Sequence, residues 1–246
     1  MEKSAANNPS GIVNPFDAGQ VLLMDKPVEW TSFDVVKRLR RLVRTRKIGH
    51  AGTLDPLATG LLILCTGKFT KRINEYMAKE KEYTGSITLG ACTPTFDLES
   101  EPGQEKDFSF VTAEMIKAVI AEKFFGGILQ VPPIHSAIKK DGQRVYELAR
   151  QGKQVKLEPR PVMIKEFAIT DLQLPVLRFR VVCSTGTYIR SLANDLGAEL
   201  GCGGYLSSLR RTRIGEFGVE QAMNMEQAEE YIQNKFETPP SDGQPV

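Results

Sequence analysis

Histidine and tryptophan are almost missing from this chain, with 2 and 1 among 246 residues, and its 4 cysteines stand far apart at positions 65, 92, 183 and 202 with no CxxC pair. So few soft donors exclude a zinc site or a disulfide framework, and reduced, buried thiols in the cytosol are expected. No metal is implied. Long apolar runs are missing too: none approaches the roughly 20 residues that cross a bilayer. Residues 1–20 lack a basic stretch followed by an apolar one, so the chain reads as neither membrane-spanning nor secreted, and as cytoplasmic. Internal repeats are absent. What is present is a 41% hydrophobic composition, enough for a sizeable core in one elongated domain or a domain with an insertion.

The net charge of +2 hides an uneven distribution. Lys37, Arg38, Arg40, Arg41, Arg44, Arg46 and Lys47 form a run without an acid. Within it Phe33, Val36, Leu39 and Val43 recur at helical spacing, which predicts an amphipathic helix with Lys37, Arg41 and Arg44 on its outer face. A basic run is ordinarily a solvated face. Two further clusters, Lys139 to Lys156 and Arg210, Arg211 and Arg213, tilt the reading toward a nucleic acid, while the acidic stretch with Glu226, Glu229 and Glu230 is expected to stay away from it.

Periodicity and punctuation predict an α+β fold. Strands are expected near 21–24, 61–65, 83–89, 162–172 and 177–183. Helices are expected after a cap at Thr31 or Ser32, over 68–79, over 112–125 with Gly126-Gly127 as the stop, over 145–151, over 188–200 and over 223–234. Residues 1–18 read as a flexible segment, 19–219 as the main domain with inserted helices and a loop at 93–160, and 220–246 as an acidic helix with a polar tail.

The most informative stretch is 49–60, GHAGTLDPLATG, which holds a lone Asp55 among glycines, a proline and small residues before an apolar strand. LDP alone is an ordinary turn. The full string presents one carboxylate, and it resembles the GHxGxLDPxATG loop of the TruB family of tRNA pseudouridine synthases. The resemblance continues through VLLMDKPVEWTSFDVV, KEYTGSITLG, QVPPIHSAIKKDGQRVYELARQG, CSTGTYIRSLANDLG and GCGGYLSSLRR, over roughly 20–215.

That resemblance implies a pseudouridine synthase fold, a mixed and largely antiparallel sheet flanked by helices. It implies an isomerase that needs no cofactor, acting as a monomer on uridine-55 in the T-arm loop of tRNA after flipping the base. By resemblance Asp55 is the nucleophile, Arg190 pairs with it, and Tyr83 stacks on the uracil and takes part in proton transfer. Tyr188 lines the pocket, Leu209 closes it, His50 contacts the RNA, and Lys26, in a DKP turn that supports the loop through an ion pair, is counted with these substrate-binding residues. Read without the family, Arg190 is a helix-surface arginine, Tyr83 and Tyr188 are packing residues, and Leu209 is a core leucine. A full C-terminal PUA-like domain, common in the family, has no counterpart here, and His135 stands where relatives carry an aromatic residue.

Three rival readings are weaker. Gly67-Lys68 hints at a phosphate-binding loop, but Phe69 holds the Ser/Thr position. A non-catalytic RNA-binding module would not need Asp55 beside Arg190. A hydrolase would need a second acid, with Asp97 and Glu99 as the nearest candidates in another loop.

Overall fold

A computed structural model describes residues 14–134, 136, 139–140, 143–144 and 157–237. Strands β1 (Val21–Lys26), β2 (Ile48–His50), β3 (Thr59–Thr66), β4 (Lys81–Leu89), β5 (Gly126–Gln130), β8 (Arg160–Gln173), β9 (Val176–Cys183), β10 (Gly204–Ile214) and β11 (Phe217–Gly218) form one 9-stranded sheet. Its order is β1-β3-β10-β4-β9-β8-β5, and β6 (Lys139–Lys140) pairs with β7 (Gln143–Arg144) apart from it. Among these ladders only β3–β10 is parallel, through Arg210 opposite Thr59 and Arg211 opposite Gly60. Since β1 covers one edge of β3, β2 and β10 share the other edge, and the 51–58 loop emerges where they part.

Helix α1 (Ser32–Leu42) starts with a capping box in which Thr31 accepts from the Asp34 amide and Asp34 accepts from Thr31. Its buried face is Ser32, Val35, Val36 and Leu39; Phe33, expected on that stripe, is 58% exposed. The cap fixes the phase of the helix, which turns Ser32 and Val35 rather than Phe33 toward the core. The expected helix 68–79 is a 3₁₀ segment (Gly67–Arg72) followed by the short α2 (Ile73–Ala78). Helix α3 (Ala113–Lys123) stops before Gly126-Gly127, but those glycines open strand β5 rather than a loop. Helices α4 (Ile189–Glu199) and α5 (Met225–Glu237) lie close to their expected positions. Of the segment read as flexible over 1–18, residues 1–13 lie outside the described residues, as do the helix at 145–151 and His135, whereas 14–18 are described and Phe16 is fully buried in a core with Leu22, Val35 and Leu64, its carbonyl accepting from Thr66 Oγ1 at 2.9 Å.

Two main cores flank the sheet. One joins Ile87, Leu89, Phe179, Val181 and Leu206 to α3 and α4 through Ile116, Ile120, Leu192 and Leu196. The other packs α1 and α5 on β1 and β3 through Val35, Leu39, Ala228 and Ile232. Helix α5 thus shares the core, and Glu229 pairs with Arg38 at 2.7 Å, so the acidic helix lies on part of the basic one. Cys65, Cys183 and Cys202 are buried, Cys92 is half-buried, and all are free.

The parallel seam depends on Gly60. Its φ is +99°, and a Cβ there would stand 2.3 Å from the Arg211 carbonyl oxygen. Gly60→Ala is therefore expected to cost about 3 kcal/mol or more, because neither backbone can yield without breaking the ladder. A urea denaturation midpoint equal to that of the unsubstituted chain would remove the seam from the list of strict requirements.

Candidate active site

The 51–58 loop is fixed through several of its backbone groups. Ala51 N–H donates to Ile63 O at 2.8 Å, and Ala58 N–H donates to Asp55 O at 3.1 Å. Ser32 Oγ accepts from Leu54 N–H at 2.8 Å and donates to Leu54 O at 3.2 Å. From below, Arg211, 1% exposed, donates to Gly52 O, Thr53 O and Leu61 O. At the far end Lys26, fully buried, donates to Pro56 O, Pro27 O and Trp30 O. Two buried cations thus hold the loop by its carbonyls, which leaves the Asp55 side chain as the group it presents to the cleft.

Arg190, the second residue of α4 and 4% exposed, meets that side chain with two nitrogens: Nε lies 3.0 Å from Asp55 Oδ2, and Nη2 donates to Oδ1 at 3.2 Å. Its third nitrogen, Nη1, donates to Thr95 O at 3.2 Å and lies 3.6 Å from Asp97 Oδ2. The planar fork suits such a two-sided arrangement. Residues 95 and 97 reach the same nitrogen because Phe96 between them adopts φ +65°, a left-handed conformation rarely tolerated by a bulky residue. Burial, with Asp97 nearby, pushes the Asp55 carboxyl above the usual carboxylate range, and Arg190 pulls it back only in part. The site thus combines partial desolvation of an acid with a fixed countercharge, a combination that marks reactive carboxylates.

Asp55 opens on a cleft of about 540 Å³ whose walls include Tyr83, Tyr188, Arg190 and Leu209, the residues singled out by resemblance. Burial raises the pKa of both tyrosines, so both phenols stay protonated and offer flat, neutral faces. His50 ends β2 outside the cleft lining, and burial with Arg211 nearby holds its imidazole neutral. Lys26 is a correction: the partners of its ammonium are carbonyls rather than a carboxylate, and full burial removes it from any substrate. Burial pushes its pKa down to about 8.

The third basic cluster is a second correction. Arg211 is buried, Arg210 pairs with Asp25 at 2.7 Å, and Arg213 pairs with Glu80 at 2.9 Å and Glu82 at 3.4 Å. Of the second cluster, Lys139, Lys140 and Arg144 lie in β6 and β7, and the rest fall outside the described residues. On α1, Lys37, Arg40 and Arg41 have no acid within ion-pair distance among the described residues, and Lys37 and Arg41 line a shallow groove with Trp30. Asp97 and Glu99, assigned to a separate loop, are brought to the site, Asp97 behind Arg190 and Glu99 in the cleft wall.

Sequence reasoning missed Lys81 and Met77 in the cleft wall and Gln130 behind it. Lys81 is buried, donates to Met77 O and Lys79 O, and has its pKa lowered by burial to about 8. The KEY and QVPP strings carry two of these residues, but nothing in their pattern separates a site position from a strand end.

Comparison with known proteins gives a consistent picture. The family model described as TruB family pseudouridylate synthase (N terminal domain) matches residues 40–189, and that of the tRNA pseudouridylate synthase B C-terminal domain matches 190–239. Relatives named tRNA pseudouridine synthase B include one from Flavobacterium johnsoniae, 50% identical over 87% of this chain and 96% of its own length. The Streptomyces avermitilis relative is 47% identical over 86% of this chain and 73% of its own length. Among solved structures, a Cbf5-Nop10-Gar1 complex superposes with a TM-score of 0.70 at 27% identity over 97% of this chain, which spans 64% of that chain's length. An archaeal box H/ACA sRNP Nop10-Cbf5 complex superposes with a TM-score of 0.65 at 27% identity, covering 89% of this chain and 55% of that one.

Proposed function

The chain belongs to the TruB family of pseudouridylate synthases, and on that premise we propose that it isomerises uridine-55 in the T-arm loop of tRNA to pseudouridine, with Asp55 as nucleophile. It is an isomerase that forms pseudouridine in tRNA; the position and the nucleophile are the proposal. The observation that carries it is the Asp55 carboxylate held side-on by buried Arg190 at the mouth of a cleft walled by Tyr83, Tyr188 and Leu209.

The reaction breaks the bond between ribose C1′ and uracil N1, turns the base and joins C1′ to C5. The proton leaves C5 and N1 gains one. Nothing is oxidised or hydrolysed, so the stoichiometry calls for no cofactor. A uridine stacked in an RNA loop must first swing out, at a cost of a few kcal/mol offset by new contacts. A cleft of about 540 Å³ suits a nucleoside, and Tyr83 is the face on which the uracil stacks. Asp55 then acts at the reacting atoms, either covalently or by taking a proton, while Arg190 keeps it anionic. His50 contacts the RNA beside the vacated base position.

We assign the catalytic unit to residues 19–219, acting as a cytoplasmic monomer, with α5 bracing α1. Backbone phosphates fall to α1 and the basic 139–156 segment. RNA affinity should therefore drop steeply with salt, with a log–log slope of about −2 to −4 if three to five phosphates are neutralised; a flat titration would contradict that assignment.

The direct test is carbodiimide labelling with primer-extension mapping of an unmodified tRNA, since the product has the mass of the substrate. A reverse-transcription stop at the T-loop uridine, lost when the loop sequence is scrambled, is the expected result. A stop at another uridine would refute the position, and equal modification of the scrambled loop would refute the specificity.

A further inference from the structure

We propose that Gln130 is a positioning residue that holds Tyr188 and Arg190 against Asp55, an assignment that rests on the functional reading above. Gln130, the last residue of β5, is 2% exposed. Its amide makes a two-point clamp on the backbone of one residue of the chain opposite: Nε2 donates to Tyr188 O at 3.0 Å, and Oε1 accepts from Tyr188 N–H at 2.8 Å. The side chain thereby mimics a strand partner for a residue that belongs to no strand. The next residue adds a third tie, because Ser191 Oγ donates to Val131 O at 2.9 Å.

The clamp sits where α4 most needs one. Tyr188 is the N-cap of α4, extended at φ −96° and ψ 109°, and its side chain caps nothing. An uncapped start leaves amide donors unsatisfied and lets the first turn fray. Arg190 lies in that first turn, so fraying would swing its fork away from Asp55. The Gln130 clamp and the Ser191 bond tie the turn to the end of β5 instead. Because β5 is bound along β8 from Gly126 opposite Ile164 to Gln130 opposite Arg160, the anchor is a strand of the main sheet.

Lost alignment of a catalytic pair costs rate rather than affinity. The test uses the full chain with Gln130→Met, which keeps the length of the side chain and removes both bonds, and Gln130→Glu, which keeps the acceptor for Tyr188 N–H. On a T-arm hairpin, kcat should fall about 10-fold in the Met variant and less in the Glu variant, with KM within about twofold of the unsubstituted value. The second readout needs no turnover. The Asp55 carboxyl carbon, followed by NMR, should titrate at higher pH in the Met variant, because a loosened Arg190 pulls less on it. An unchanged titration overturns the proposal whether or not the chain modifies RNA, as does a rise in KM with kcat intact. If the unsubstituted chain converts no uridine while the Asp55 titration still shifts in the Met variant, the functional reading falls and the clamp stands. A variant that does not fold leaves the decision to Gln130→Glu, where an unchanged titration likewise overturns it.

Discussion

An Asp55→Asn chain should form no detectable pseudouridine, a loss of at least about 10⁴-fold, while its affinity for a T-arm hairpin stays within about threefold. Asparagine matches the shape of the acid but supplies neither a negative charge nor a proton acceptor of comparable basicity. Arg190 keeps its contacts to Thr95 O and Asp97, and the backbone of the loop remains fixed by Lys26, Ser32 and Arg211, so binding has no reason to fail. Stability should move the other way. A carboxylate whose folded pKa is raised stabilises the fold fully only at acid pH, below its unfolded value, and that contribution is lost as pH rises through the folded pKa. At neutral pH the ionised Asp55 is thus a cost, which Asn removes; the melting temperature of the variant should equal or exceed that of the parent at pH 7, with the gap closing toward acid. Pseudouridine formation by the Asn chain, mapped by carbodiimide stops, would end the nucleophile assignment.

Arg190→Met should be nearly as damaging, by a different route. The guanidinium stands between Asp55 and Asp97, and its removal leaves two carboxylates facing an apolar chain. A drop of about 10² to 10³-fold in kcat is expected from the lost orientation and countercharge. The acid limb of kcat/KM should also shift to higher pH, because burial then pushes the Asp55 carboxyl up with little to oppose it. A stability loss of up to about 3 kcal/mol should accompany this, below the figure for an enclosed pair because Asp55 opens to the cleft. Arg190→Lys offers one point charge in place of a fork and should fall between the two. A pH profile of the Met variant that overlays the parent's would show that Arg190 does not tune the acid.

How much of this was legible in the sequence differed by element. The loop around Asp55 could be read because glycines, a proline and a single acid leave few conformations and one chemistry. Strand β4 showed itself by Tyr83, Ile87 and Leu89 alternating with Thr84, Ser86 and Thr88. Strand β10, in the middle of the sheet, did not: GYLSSLRRTRI carries serines and arginines, its register shifts between Leu206 and Ser208 and between Arg211 and Arg213, and its largest inward side chain is a charged Arg211. A rule that seeks alternating apolar residues passes over such a strand. For the same reason Arg210, Arg211 and Arg213 looked like an RNA surface, when their partners, the carbonyls of a loop some 150 residues earlier and the acids Asp25, Glu80 and Glu82, become neighbours only in the folded chain. Lys26 misled in the same way, since composition cannot distinguish an ammonium held by a carboxylate from one held by three carbonyls.

The parallel seam between β3 and β10 also sets a timetable for the molecule's birth. Arg211 Nε holds Leu61 O across 150 positions of chain. At roughly 5 to 20 residues per second of synthesis, the loop that bears Asp55 emerges some 8 to 30 s before the arginine that fixes it from below. Until then β3 has no β10 to pair with, and Gly60 faces an empty edge. A nascent chain that has made its acid therefore has not yet made its catalyst, and an RNA it meets during translation encounters a carboxylate without a settled geometry.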